Sequence, residues 1–181
     1  MKRPTHWTVL ETEALQDCRI FGISGLRSQK AGSQEVFTFY RIDSEDWTNI
    51  IPLTDDGHVV MIRQFRHGLG DEILELPGGL VDPGEEPEPA AARELLEETG
   101  YRARTITRIG SVNPNPALFG NRHHSFLAEG CTRVAEVQND RHEETIVELI
   151  PLDEIPARMR AGEIDHALVL AAFYWLGLRE K

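Results

Sequence analysis

Residues 79–101 read Gly79-Leu80-Val81-Asp82-Pro83-Gly84-Glu85-Glu86-Pro87-Glu88-Pro89-Ala90-Ala91-Ala92-Arg93-Glu94-Leu95-Leu96-Glu97-Glu98-Thr99-Gly100-Tyr101. The spacing predicts a helix over 87–99. Pro87 and Pro89 fall in its first turn, where a missing N–H costs little, and Gly100 is placed as its C-terminal stop. On that helix Glu94, Glu97 and Glu98 stand three and four residues apart and share one face within about 100° of arc. Ala92, Leu95 and Leu96 turn the other way and can bury. Like charges so placed repel, by roughly a few tenths of a kcal/mol per pair on an isolated helix. Two arrangements would offset that. The face is solvated, or the carboxylates form a cage of hard oxygen ligands for magnesium or manganese. The neighbours favour the cage. Glu85 adds a carboxylate near the helix start, and Arg93 can lock a glutamate through a bidentate pair. Gly78 and Gly79 let the backbone come close, so that a carbonyl could also reach the metal.

Outward from this helix, the N-terminal side reads as strands and the C-terminal side closes with helices. Residues 6–10, 18–23 and 35–40 are three candidate strands, with a turn at Ala31-Gly32-Ser33. Residues 47–53 and 59–65 flank Asp55-Asp56-Gly57, and Asp-Gly between apolar runs is a hairpin signal. Glu75-Leu76-Pro77-Gly78-Gly79 ends this region. Two or three further strands are expected between 105 and 149, one of them at 146–150. A short helix begins at 152 and a longer one covers 163–178. The expected architecture is α/β, a mixed sheet sandwiched by helices. The adjacent His123 and His124 lie on a strand, so they point to opposite faces and do not make a metal pair.

The chain has 181 residues, 40% hydrophobic and 27% charged, the balance of a soluble globular protein. Its formal net charge of -11 argues against binding a nucleic-acid backbone, which rewards clustered Lys and Arg. It is compatible with a small phosphorylated substrate that arrives with a cation. Cys18 and Cys131 form no CxxC or zinc spacing and suit a reducing compartment. Glu11, Glu13 and Asp17 interrupt the place where a signal peptide would need its apolar segment, and the apolar run at 167–176 is too short to span a bilayer. A cytoplasmic protein with no membrane partner is expected.

Gly79, five residues, Glu85, seven residues, then Arg93-Glu94-Leu95-Leu96-Glu97-Glu98-Thr99-Gly100-Tyr101 resembles the complete signature of the Nudix family. Tyr101 departs from the aliphatic residue usual there. The resemblance implies a Nudix α/β/α sandwich in which Glu94 and Glu98 are the main metal ligands. Glu97 would be a ligand or a partner of the ligands, Glu85 and Arg93 would support them, and Gly78 or Gly79 would contribute a carbonyl. It also implies a phosphoanhydride hydrolase using Mg2+ or Mn2+, with more than one ion per site. The ions would neutralise diphosphate oxygens and acidify the attacking water.

Features outside the signature resemble the branch that acts on ADP-ribose and nucleoside diphosphate sugars. There a glutamate on a late loop is base or extra ligand, which here falls to Glu143 or Glu144 in Asp140-Arg141-His142-Glu143-Glu144-Thr145. Arg66, or Arg63 in the same Arg63-Gln64-Phe65-Arg66 segment, would contact a phosphate, with Glu75 also at the substrate. Pro116 matches a proline of that branch and would mark the substrate pocket. Trp47, Phe37 or Tyr40 could stack on the base. Residues 1–45 match a strand-rich antiparallel extension that makes a homodimer, leaving 46–181 as the hydrolase domain. ADP-ribose would give AMP and ribose 5-phosphate. Triphosphate or dinucleotide hydrolysis, and a non-catalytic nucleotide-sugar sensor, are the other readings. An isoprenoid diphosphate isomerase would need an active-site cysteine, and neither cysteine has a matching context.

Overall fold

The computed structural model describes residues 3–139 and 144–179. Two compact units divide the chain. One takes the residues up to Glu45 together with Asn113–Asn121, and the other takes Asp46–Val112 with the residues from Arg122 onward.

The first unit is an antiparallel meander of β1 (Trp7–Asp17), β2 (Gly22–Lys30) and β3 (Val36–Asp43), in that spatial order. Its first hairpin corrects the expected strands at 6–10 and 18–23. β1 runs on through Asp17, and residues 18–21 are the connection instead. Cys18 N–H donates to Phe21 O at 2.9 Å, Arg19 sits at φ 69°, and Arg19 N–H donates to the Asp17 carboxylate at 2.9 Å. A short acceptor that satisfies the turn's own backbone outweighs the apolar run behind it. All of β1 is exposed, so it lacks the inside–outside alternation by which a strand is read. Trp7 packs edge-on against Phe37 and Phe39, at ring distances of 5.8 and 5.4 Å. Ile42 N–H donates to Leu118 O and Asn121 Nδ2 donates to Glu45 O, which fastens 113–121 to this unit.

The second unit opens with β4 (Trp47–Leu53), β5 (His58–Arg66) and β6 (Asp71–Glu75), followed by α1 (Pro87–Thr99). Then come β7 (Tyr101–Arg102), β8 (Thr105–Val112), β9 (His123–Glu129), β10 (Thr132–Arg133), β11 (Thr145–Pro151), α2 (Ile155–Ala161) and α3 (Ala167–Gly177). Among the described residues one sheet runs β11-β5-β4-β9-β8, with β6 also on β5, and a small ribbon pairs β7 with β10. β4 and β9 are parallel and the other pairs antiparallel, so the large sheet is mixed.

Strand alternation makes the sandwich. Ile50, Phe126 and Ala128 point to the face covered by α1, where they meet Ala91 and Leu95. Ile51, Met61 and Leu127 point to the other face and meet Ile155, Val169 and Ala172 of α2 and α3. Each fully buried Ile or Leu of these clusters contributes roughly 2 kcal/mol of apolar transfer.

The long helix expected over 163–178 is corrected to α3. α2 ends at Gly162 (φ 77°), Ile164 is buried at 1% exposure, and His166 is extended at the N-cap. Burying Ile164 between the helices outweighs continuing the helical pattern through it. Among the described residues no helix is long and apolar enough to cross a membrane.

One irregularity of the sheet positions the site. β4 pairs with β5 only at Leu53↔Val59. Beyond that point the free edge of β4 is taken by residues 77–81. Ile50 N–H donates to Pro77 O (3.0 Å), Thr48 N–H to Gly79 O (2.9 Å), and Val81 N–H to Asp46 O (2.9 Å). The segment entering α1 is thereby held in the sheet like a strand.

Candidate active site

Glu98 is 4% exposed, and its Oε2 accepts the Gly78 N–H at 2.8 Å. Gly78 has no room for a side chain. A Cβ there would stand 2.2 Å from Thr48 O and 2.7 Å from Asn49 Cα, both backbone atoms. Successive carbonyls of an extended segment alternate in direction. Pro77 O and Gly79 O already face β4, so the carbonyl of Gly78 points away from it. At Gly79 a Cβ would come within 2.5 Å of Glu94 Oε1. Gly78 thus lets the segment lie close against β4 while its N–H meets Glu98, and Gly79 leaves room for the Glu94 carboxylate.

Arg93 ties the remaining acids together. One terminal nitrogen donates to Glu94 Oε1 (2.8 Å) and Glu97 Oε2 (3.2 Å), while the other donates to Glu85 Oε2 (3.0 Å) and to Leu80 O (3.1 Å). Its Nε reaches Glu85 Oε1 at 3.3 Å. Hydrogen bonding from Arg93 holds the Glu85 carboxyl below the usual range, and the same bonds, Glu85 first, raise the guanidinium pKa. This is the offset that the repelling glutamates required.

The helix face differs from the expectation in one respect. Glu98 turns into the protein with Ala90, Ala91, Leu95 and Thr99, while Ala92 and Leu96 are only half-buried. Gly100 closes the helix at φ 73°, donating its N–H to Leu96 O. Among the described residues no three acidic or imidazole side chains already stand converged on one point as an ion would need, because Arg93 lies between Glu85, Glu94 and Glu97. The donor set is nevertheless all oxygen, and two of its carboxylates lie against side-chain-free backbone. Those properties fit a hard divalent cation.

The described residues on either side of the stretch expected to supply a further glutamate bond to the end of α1 or to each other. Gln138 N–H donates to Glu97 O at 2.7 Å, and the Thr145 hydroxyl lies 2.8 Å from Glu98 O and 2.9 Å from Asn139 Oδ1. Glu144, next to Thr145, is exposed. Glu143 lies outside the described residues.

Arg66 and Arg63 part company. Arg66 Nε is 2.7 Å from Glu75 Oε1. Glu75, expected at the substrate, is only 1% exposed, with Oε1 against Arg66 and Oε2 3.3 Å from His166 Nδ1. So enclosed, Glu75 meets Arg66 and His166 from within the protein. Burial pushes its pKa up, but His166 and Arg66 more than offset this and hold it below the usual range. Arg63 lies elsewhere. It shares the Met61 face of β5, the side of α2 and α3, and pairs with Glu148 at 2.9 Å; Arg158 of α2 reaches the same carboxylate at 3.2 Å. The structure does not bring it to the α1 carboxylates.

Trp47 is half-buried and its backbone bridges Leu80. Pro116 is exposed in a turn of the other unit, where Asn115 O accepts from Leu118 and Phe119 N–H. Phe37 and Tyr40 are exposed on β3. His124 accepts from Arg108 at 2.6 Å through Nδ1 and contacts Asp46 through Nε2 at 2.9 Å. On the opposite face His123 is buried with no hydrogen-bond partner for either ring nitrogen; burial, then His166 and His124, push its pKa down to about 4. The sequence reading missed His166 and the backbone donor at Gly78. No local pattern announces His166, whereas two consecutive glycines ahead of an acidic helix do hint at close backbone contact.

Three comparisons agree with this geometry. An ADP-ribose pyrophosphatase of Bacillus subtilis is 35% identical over 133 residues, covering 72% of this chain and 71% of the relative. An ADP-ribose pyrophosphatase of Mycobacterium tuberculosis is 34% identical over 125 residues, 67% of this chain and 60% of its own length. A crystal structure of an ADP compounds hydrolase superposes with a TM-score of 0.85 at 22% identity, covering 98% of this chain and 95% of that one, and so shares the fold. The NUDIX domain matches residues 46–173, the stretch that holds every carboxylate placed around α1, and the chain belongs to the Nudix family of hydrolases.

Proposed function

We propose that this chain hydrolyses the diphosphate bond of ADP-ribose or a related nucleoside diphosphate sugar, releasing a nucleoside monophosphate and a sugar phosphate. The observation that carries the reading is the buried Glu98 held by the Gly78 N–H, beside Glu94 against Gly79, in a chain whose relatives act as ADP-ribose pyrophosphatases. Glu94, Glu97, Glu98 and the Gly78 carbonyl would hold Mg2+ or Mn2+, with Glu144 as a further ligand for more than one ion. The cation, when bound, offsets charge on the diphosphate and acidifies a water.

The chain's own residues do the rest. Arg93 keeps Glu85, Glu94 and Glu97 gathered despite their mutual repulsion. Arg66 offers a guanidinium to a phosphate, oriented from behind by Glu75. Glu143 or Glu144 would take the proton of the attacking water; the flanking Gln138 and Thr145, which bond to the end of α1, support that reading. Trp47 would offer an aromatic face to the base.

Residues 1–45 act as a dimerisation segment. The exposed Trp7, Val9, Phe37 and Phe39 share one face of the meander, an apolar face suited to a second copy of the chain in the cytoplasm. A panel of nucleotide sugars, dinucleotides and triphosphates, incubated with Mg2+ or Mn2+, tests the reading. ADP-ribose or another nucleotide sugar should be cut at the diphosphate; exclusive turnover of triphosphates, or binding of nucleotide sugars without turnover, would contradict it.

A further inference from the structure

We infer that His166 is a positioning residue for the diphosphate-binding arginine, acting through Glu75 on Arg66. This rests on the proposed role of Arg66. Glu75 has almost no contact with water, so both of its oxygens must find partners inside the protein. Arg66 Nε supplies one at 2.7 Å, and His166 Nδ1 stands 3.3 Å from the other, at contact distance although not aligned as a straight hydrogen bond.

The backbone that carries the His166 ring is held in place. It is the N-cap residue of α3, and its carbonyl accepts the N–H groups of Val169 and Leu170, both at 3.0 Å. The first turn of that helix is fastened to the sheet, because Asn49 Nδ2 donates to Leu168 O at 3.1 Å. The carboxylate is therefore gripped between an imidazole fixed by α3 and a guanidinium on β5.

Holding Arg66 through Nε fixes the plane of its guanidinium, which sets the direction in which it can offer N–H groups to an anion. With His166 removed, one buried oxygen of Glu75 loses its partner and the carboxylate is free to turn. Arg66 turns with it. The effect belongs in substrate binding, since Arg66 is the group proposed to meet the diphosphate.

Three variants, His166→Leu, His166→Asn and Arg66→Met, together with Arg66→Met/His166→Leu, test this with ADP-ribose and Mg2+. Asn keeps an N–H donor near the position of Nδ1, whereas Leu keeps only bulk. His166→Leu should raise KM about tenfold with kcat within about twofold, and His166→Asn should recover most of that loss. In the Arg66→Met background the Leu substitution should change kcat/KM by less than about twofold, because the group it acts through is already gone. A purely structural role would instead lower Tm, leave KM unmoved and cost the same in both backgrounds. Either an unchanged KM in His166→Leu or additive losses would overturn the inference alone. Failure of the wild type to cleave any nucleotide sugar would remove the functional reading and this inference with it.

Discussion

The Gly78 N–H donates to Glu98 Oε2 across 2.8 Å, joining the strand-like segment at the edge of β4 to the last turn of α1. Two features that look separate in the sequence, a glycine pair and an acidic helix, are one structural unit. The glycines supply the space and the donor, and the helix supplies the charge.

Substitutions at the two glycines should separate stability from activity. Gly78→Ala drives a Cβ into Thr48 O and Asn49 Cα, backbone atoms of a buried strand that cannot yield. A destabilisation of at least about 3 kcal/mol is expected in denaturant titration. Gly79→Ala meets the end of the Glu94 side chain, which can move aside. That variant should fold with nearly native stability and lose roughly tenfold or more in kcat/KM.

Arg93→Lys keeps the charge and loses the fork. A single ammonium cannot reach Glu85, Glu94, Glu97 and Leu80 O together, as the guanidinium does. Activity should drop on the order of 10–100-fold, with a higher metal concentration needed for half-maximal rate. Metal titrations that superimpose for the two proteins would exclude this role.

Acid should weaken the fold through His123. Its pKa is pushed down to about 4 in the folded chain, against an unperturbed 6.5. Between those values the unfolded chain binds a proton that the native one does not, so stability falls as pH drops from about 6.5 towards 4. The loss amounts to roughly 3 kcal/mol by the low end of that window. Denaturation midpoints measured across it should slope less steeply for His123→Gln than for the wild type. Parallel slopes would show that another group titrates.

The bounds of α1 were legible because a helix of this kind is local: prolines at its start, a glycine at φ 73° after its end, and periodic Leu and Glu between. The alternating core strands were legible for the same reason. β1 was not, since a strand exposed along its whole length carries no alternation to read. Arg63 and Arg66 stand on opposite faces of β5, which strand periodicity implies, yet which face meets α1 is settled only by how the sheet packs. The burial of Glu98 and the grip of His166 on Glu75 depend on partners distant in sequence, so no local pattern encodes them.

The most direct test of the central claim is cleavage of ADP-ribose by the wild type and Glu98→Gln, with Mg2+ present and after chelation, products resolved by chromatography. The wild type with metal should release AMP and ribose 5-phosphate. Chelation, or the substitution in a protein with an unchanged Tm, should lower the rate by at least about 100-fold. Turnover by Glu98→Gln at the wild-type rate, or cleavage indifferent to metal, would contradict the account.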